Sequence, residues 1–335
     1  MIKVGIIGYG YWGPNLVRNF FNQKQCIVKK VADSRKERLQ LLSNGYPSIT
    51  GVLDADEIIN DNDIDAVIIA TPVFTHFTLA KKALLNGKHV LLEKPMASSV
   101  EECNELIDLA LQKNLKLMVD HTFLYTGAVE KIKQIIDSNG IGKIKYLDST
   151  RINLGLFQPD INVLWDLAPH DLSILRYLHD EKPISVNATG VCHTKNNIEN
   201  IAYMTINYES GFIAHISSSW SSPVKVRKML IGGDEKMIIF DDVEPTEKIK
   251  IYDTNYQVKS DEDKNRILVD YRVGDIYVPK IKNKEALALV ADDFITSIIE
   301  DKIPISSFDI GLDIVKMLEA SEKSIKNNGI EIKID

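Results

Sequence analysis

The feature that most narrows the folds open to this chain is a glycine spacing close to its start. Residues 3–7 form a short apolar run rich in β-branched side chains, and Gly8-Tyr9-Gly10-Tyr11-Trp12-Gly13 follows at once. Helical spacing then runs from Asn15 to Phe21, and a second strand-like run covers Ile27–Ala32. Glycines at these intervals mean little alone. Between a strand and a helix they describe a phosphate-binding turn: the first permits the sharp reversal, the second lets backbone approach a pyrophosphate, and the third lets helix and strand pack closely. The helix N-terminus adds N–H groups and partial positive charge. Asp33 closes the second strand, twenty residues past Gly13, where a carboxylate accepts hydrogen bonds from an adenosine ribose. Its plainer role is to cap a helix over Ser34–Leu42; the agreement of strand, glycines and spacing favours a dinucleotide. Arg35, Lys36 and Arg38 could reach a 2′-phosphate, although an exposed first helical turn explains them as well. A carboxylate at the ribose repels that phosphate, so NAD is expected over NADP.

The alternation continues with strands at Ala66–Ala70, His89–Leu92 and Leu117–Val119 and helices over Thr75–Asn86 and Ser99–Lys113. Continuously apolar strands separated by helices imply a parallel sheet buried on both faces, a doubly wound Rossmann domain. After Gly142 the pattern changes. Six strand-like segments, at Ile144–Ile152, Ile184–Val191, Ile201–Tyr208, Phe212–Ser219, Lys225–Ile231 and Lys236–Phe240, follow with short turns, which predicts an open, mainly antiparallel sheet in an α+β domain. A helix over about Asp166–Leu178 interrupts them, and helices near Glu285–Ile299 and Ile310–Lys326 close the chain. The polar segment Asp253–Arg266 reads as a surface excursion. The boundary falls near residues 120–125, giving domains of 1–122 and 123–335, with the final helices able to pack back on the first.

Length and charge remove other classes. A chain of 335 residues exceeds one ordinary core, and 44% apolar with 26% charged residues is globular composition. A net charge of −7 offers no basic face for nucleic acid. The three scattered cysteines match no metal or redox spacing and suit a reducing compartment. With no signal-like start and no apolar run of about 20 residues, the cytoplasm is the expected location.

Four motifs carry a family resemblance: GYGYWG, Ala70-Thr71-Pro72 with His76, the tripeptide Glu93-Lys94-Pro95, and Asp166 with His170-Asp171 opening a helix. On these the chain resembles the glucose–fructose oxidoreductase, inositol dehydrogenase and MocA family nearly end to end. The resemblance implies a Rossmann domain followed by an open sheet often used for oligomer contacts, hence a homodimer or homotetramer. It implies that Gly8, Tyr9, Gly10, Tyr11, Trp12, Gly13, Asp33, Ser34, Arg38, Thr71, Pro72, His76, Glu93 and Lys94 line the cofactor, and that Lys94, Asp166 and His170 carry the chemistry.

The residues support that trio. Lys94 follows a parallel strand at its carboxyl end, where open α/β sheets place ligands, and a lysine there can stabilise an oxygen losing its proton. His170 has the reference pKa of a general base near neutrality. Asp166 stands four residues before it, so both can project from one side of a helix; a capping role with Pro169 in the first turn is compatible. A metal site from Asp166, His170 and Asp171 lacks supporting ligands, and none is expected. Two departures from the family pattern bear on the substrate: Asn162-Val163-Leu164-Trp165 precedes Asp166 where glycines are usual, and His121-Thr122-Phe123-Leu124-Tyr125 replaces an asparagine–arginine–proline pattern. His121, Tyr125, Arg151, Asn153 and Asn162 are weaker candidates for substrate contact, Arg151 through a diphosphate or else in a structural salt bridge. The expected substrate is a ring sugar, preferably a nucleotide-linked hexose of UDP-N-acetylhexosamine or uronate type reacting at C3. The alternatives are an inositol or free monosaccharide dehydrogenase and, in another class, a nicotinamide-binding sensor without turnover.

Overall fold

A computed structural model describes residues 1–334 apart from Leu156, Pro159, Asn196, Thr254, residues 258–269 and Val273. Most of the polar segment Asp253–Arg266 therefore lies outside the described residues. The chain divides into two compact units, one of Met1–Thr126 with Lys284–Glu319 and the other of Gly127–Asn283 with Ala320–Asp335.

In the first unit, six strands form one parallel sheet: β1 (Ile2–Ile7), β2 (Cys26–Ala32), β3 (Thr50–Val52), β4 (Ala66–Ile69), β5 (His89–Glu93) and β6 (Leu117–Asp120). Their order is β3-β2-β1-β4-β5-β6, which reverses direction of build at β1. The loop after β1 thus stands at the switch point where such sheets bind dinucleotides. β4 and β6 are buried at every residue, as the unbroken apolar runs require. Helices α1 (Gly13–Asn22), α2 (Lys36–Gly45), α3 (Asp56–Ile59), α4 (Val73–Leu85) and α5 (Val100–Gln112) make the crossovers. The short strand Thr50–Val52 and helix Asp56–Ile59 were not legible, being too brief to establish a period. The helix Ala286–Ile299 joins this unit, its Phe294 ring meeting Phe20 of α1 edge-on at 6.4 Å. Ser307 bridges Met118 on the outer edge of β6, and the Ser306 hydroxyl donates to the Val119 carbonyl at 2.6 Å.

The second unit opens with α6 (Gly127–Asp137) and is built on a nine-stranded sheet. Its named strands are β7 (Ile144–Leu154), β8 (Pro183–Val191), β9 (Ile201–Tyr208), β10 (Ile213–Ser219), β11 (Ser221–Gly233), β12 (Met237–Asp241) and β13 (Ile249–Tyr252). Residues Ile276–Tyr277 extend it beyond β13 and Ile332–Lys333 beyond β8. Every pairing is antiparallel except β7 with β10, which run parallel because the chain leaves β7 through helix α7 (Val163–Leu178) and a β8–β9 hairpin before returning beside it. Alternation along β9 and β10 buries Ala202, Met204, Ile206, Ala214 and Ile216 on the side that α7 covers. The other side presents Tyr203, Thr205, Ile213 and His215.

Two local expectations are corrected here. Helix α7 begins at Val163, three residues before Asp166, because Asn162 caps it by accepting from the Leu164 and Trp165 N–H groups at 3.1 and 3.2 Å. Pro169 consequently sits inside the helix, where its missing N–H leaves the Trp165 carbonyl without the usual helical donor.

Candidate active site

At the switch point, the glycines of the first turn serve different ends. Gly8 has φ +102°, and a Cβ there would lie 2.3 Å from the Ala70 carbonyl oxygen; one on Gly13 would lie 2.3 Å from the carbonyl oxygen of Gly8. Both are demanded by this chain's own packing. Gly10 is not, since its nearest neighbour would be the Arg35 guanidinium at 3.6 Å. The space over Gly10 is a cradle that a side chain would fill, and it fits the close approach of a pyrophosphate. The first turn of α1 carries no acidic residue and its cap residue Trp12 makes no side-chain capping bond, so that end keeps its electropositive character. Tyr11 is 91% exposed beside it.

Asp33 does not cap α2, whose N-cap is Arg35. Its buried carboxylate instead accepts from the Tyr9 N–H at 2.9 Å and the Arg35 N–H at 3.0 Å, tying the end of β2 to the glycine turn. The Arg35 side chain adds two contacts of 3.0 Å to the same carboxylate. Burial works to raise this acid, but the Arg35 guanidinium and the two backbone N–H groups outweigh it and hold the carboxyl below its ordinary range. Ser34 is exposed and Arg38 half-buried next to it. The residues present thus fit an adenosine ribose, with a cation on hand at the carboxylate itself.

The ends of β4, β5 and β6 gather the other first-unit candidates. His76 is fully buried, with Nδ1 2.9 Å from the Pro95 carbonyl oxygen and Nε2 2.9 Å from that of Thr71. It fastens the loop after β4 to the loop carrying Lys94; its place is behind these loops, with no surface of its own. Thr71 and Thr75 hydroxyls lie 2.6 Å apart, and Pro72 is exposed. Lys94 follows β5, and its N–H donates to Glu93 Oε2 at 3.2 Å. His121 is 1% exposed, and burial, with the Lys94 charge second, pushes its imidazole down to about 3, so it is neutral. Neither of its ring nitrogens has a hydrogen-bond partner among the described residues. Tyr125 is engaged: its hydroxyl donates to Asp293 at 2.8 Å and accepts from the Ser306 N–H at 3.1 Å.

In the second unit, α7 carries Asp166 and His170. The Trp220 indole N–H, in a fully buried side chain, donates to Asp166 Oδ2 at 2.9 Å. Arg151 is 3% exposed and grips Asp171 through two bonds of 2.8 Å. That pair is structural: a guanidinium so committed presents nothing to a diphosphate, and the diphosphate contact proposed for Arg151 is set aside. Asn162 is likewise spent as the α7 cap. Asn153 remains half-exposed at the end of β7, ahead of a loop in which Leu156 and Pro159 lie outside the described residues.

Sequence reasoning missed two participants. Asp120 ends β6 as Glu93 ends β5, and it pairs with Glu93 in register; an acid closing an apolar strand was the available signal. Trp220 lies in a serine-rich stretch with no motif around it, and nothing in the sequence joins it to Asp166. Among the described residues no group of three or more His, Cys, Asp and Glu side chains assembles as a metal-ligand set, and no helix is long and apolar enough to cross a membrane.

Residues 2–121 match the family model described as an oxidoreductase family with an NAD-binding Rossmann fold, and residues 129–239 match the GFO/IDH/MocA C-terminal domain. UDP-N-acetylglucosamine 3-dehydrogenase of Acidithiobacillus ferrooxidans is 31% identical over 242 residues, 69% of this chain and 71% of that protein. The scyllo-inositol 2-dehydrogenase (NADP(+)) IolW of Bacillus subtilis is 27% identical over 227 residues, 63% of this chain and 60% of its own length. The solved structure of the A. ferrooxidans enzyme superposes with a TM-score of 0.82 at 23% identity, covering 97% of this chain and 98% of that one. The chain belongs to the GFO/IDH/MocA family of oxidoreductases with an NAD-binding Rossmann fold.

Proposed function

We propose that this oxidoreductase is an NAD-dependent dehydrogenase or ketoreductase acting on a ring secondary hydroxyl of a sugar, with a nucleotide-linked hexose as substrate and C3 as the reacting position. The observation that carries the reading is Lys94 on the carboxyl end of β5, in the same unit as the Gly10 cradle and the Asp33 carboxylate that ends β2. The 31% identity to a UDP-N-acetylglucosamine 3-dehydrogenase supports the nucleotide-linked form. Bound nicotinamide supplies or accepts the hydride. His170 takes the hydroxyl proton as base, and Lys94 donates a hydrogen bond to the same oxygen as its charge grows. Asp166, fixed by Trp220, orients a substrate hydroxyl. Gly10, Asp33 and the start of α1 hold the dinucleotide. An inositol substrate is the second reading, favoured by the likeness to a scyllo-inositol dehydrogenase.

Incubation with NAD and a panel of UDP- and dTDP-hexoses, beside inositols and free sugars, tests the substrate; activity confined to the free polyols overturns the nucleotide-linked form. Lys94→Ala and His170→Ala are each expected to lower kcat by about 10²-fold or more while leaving NAD affinity nearly unchanged in the His170 variant. Near-normal turnover in either overturns the mechanism.

A further inference from the structure

The ends of β5 and β6 carry two acids that this reaction scheme does not use for proton transfer. Glu93 and Asp120 are direct partners in a parallel ladder, so their side chains rise from the same face of the sheet on strands about 4.8 Å apart. Asp120 is 2% exposed. Each acid has one oxygen satisfied: Glu93 Oε2 accepts from the Lys94 N–H, and Asp120 Oδ1 accepts from the Thr122 hydroxyl at 2.7 Å. The second oxygens, Glu93 Oε1 and Asp120 Oδ2, are both buried, and neither has a hydrogen-bond partner among the described residues. Two orphaned acceptors on neighbouring acids have one economical solution. A single proton between them makes one a donor and the other its acceptor, and removes the repulsion of two buried like charges. The groups facing the pair are the Lys94 ammonium, the Trp12 indole N–H, the Thr122 hydroxyl and, further off, Tyr125 with Asp293 behind it. Neutral His121 adds no charge, so Lys94 supplies the positive charge here.

We propose that Glu93 and Asp120 hold one proton between them and, as a pair bearing one negative charge, position the Lys94 ammonium. The positioning role rests on the part given to Lys94 above; the shared proton does not. Burial raises both carboxyls, and Asp120 pushes Glu93 higher still. The folded chain therefore keeps a proton that the unfolded chain releases above about pH 4 to 5. Unfolding then releases a proton, so stability falls as pH rises from that range through the raised value.

Infrared difference spectra of the whole protein test the proton directly. We expect the carbonyl band of a buried protonated acid at pH 8, shifted by ¹³C labelling of glutamate and aspartate together and lost in both Glu93→Gln and Asp120→Asn. Each amide variant should also flatten the decline of Tm between pH 6 and 9. Each single change is expected to lower kcat about threefold and the double change about a hundredfold, well beyond the product, because only the double removes the charge beside Lys94. A wild-type protein with no label-sensitive band, or a double variant equal to the product of the singles, overturns the proposal. The labelled wild type alone decides the proton if a variant does not fold. A band that is present in a protein turning over no sugar supports the shared proton and overturns the reaction instead.

Discussion

Two buried pairs, one in each unit, answer the same problem in opposite ways. Arg151 of β7 and Asp171 of α7 bring unlike charges together, each at about 3% exposure, and the bidentate contact engages both carboxylate oxygens. Glu93 and Asp120 bring like charges together at the ends of β5 and β6, and their geometry closes only around a proton. The unlike pair ties β7 to α7 through two charge-assisted bonds of 2.8 Å inside the second unit. The like pair is a poor device for stability and a good one for chemistry, because its charge state can change. Polar residues buried among complementary partners therefore build the fold, while those left incomplete mark where a reaction is expected.

The largest test of that contrast is Asp171→Ala. It strands a buried guanidinium and should cost about 3–5 kcal/mol, read from urea unfolding by tryptophan fluorescence. Two of the three tryptophans, Trp165 and Trp220, lie in the affected unit. A cost below 1 kcal/mol would erase the distinction. Next in size, Trp220→Phe removes the donor to Asp166 while preserving bulk, and we expect about a tenfold loss in kcat with the fold intact. An unchanged kcat would sever the tryptophan from the site. Asn162→Ala should cost about 1 kcal/mol of stability through the lost α7 cap, with KM for the sugar unaltered; a large KM effect with no loss of stability would return Asn162 to the substrate. The smallest effect is expected at Arg35, an exposed partner of a buried acid. Arg35→Ala should raise the NAD over NADP preference about threefold by uncovering the Asp33 charge, measured by titration with both cofactors. A shift toward NADP would mean that the carboxylate does not govern the pocket.

The same contrast explains what could be read from the sequence. The first sheet was legible because its strands are buried on both faces and its turn is dictated by backbone geometry; Gly8 and Gly13 announce themselves by spacing between a strand and a helix. Asp33 was placed beside the turn for the same reason. The second unit advertised its strands by alternation but not its pairings: nothing local to Ile144–Ile152 foretells a parallel neighbour seventy residues on. Polar side chains there were over-read. Arg151 and Asn162 are engaged by Asp171 and by the backbone of α7, partners that only the fold brings close. The reverse error hid Asp120, whose partner across the ladder is twenty-seven residues away.

The bridge from Ser307 to the outer edge of β6 has a consequence during synthesis. The first 126 residues contain the whole parallel sheet, yet the segment Lys284–Glu319 that completes this unit emerges only after most of the second unit. At 5–20 residues per second, about 10–40 s pass between the two. Throughout that interval β6 leaves the ribosome as an uncovered strand, with Val119 still lacking the Ser306 contacts that later blunt it. A nascent chain stalled between these points offers the unpaired edge of β6 to any neighbour, and β6 is where chaperone dependence of this protein is expected to be found.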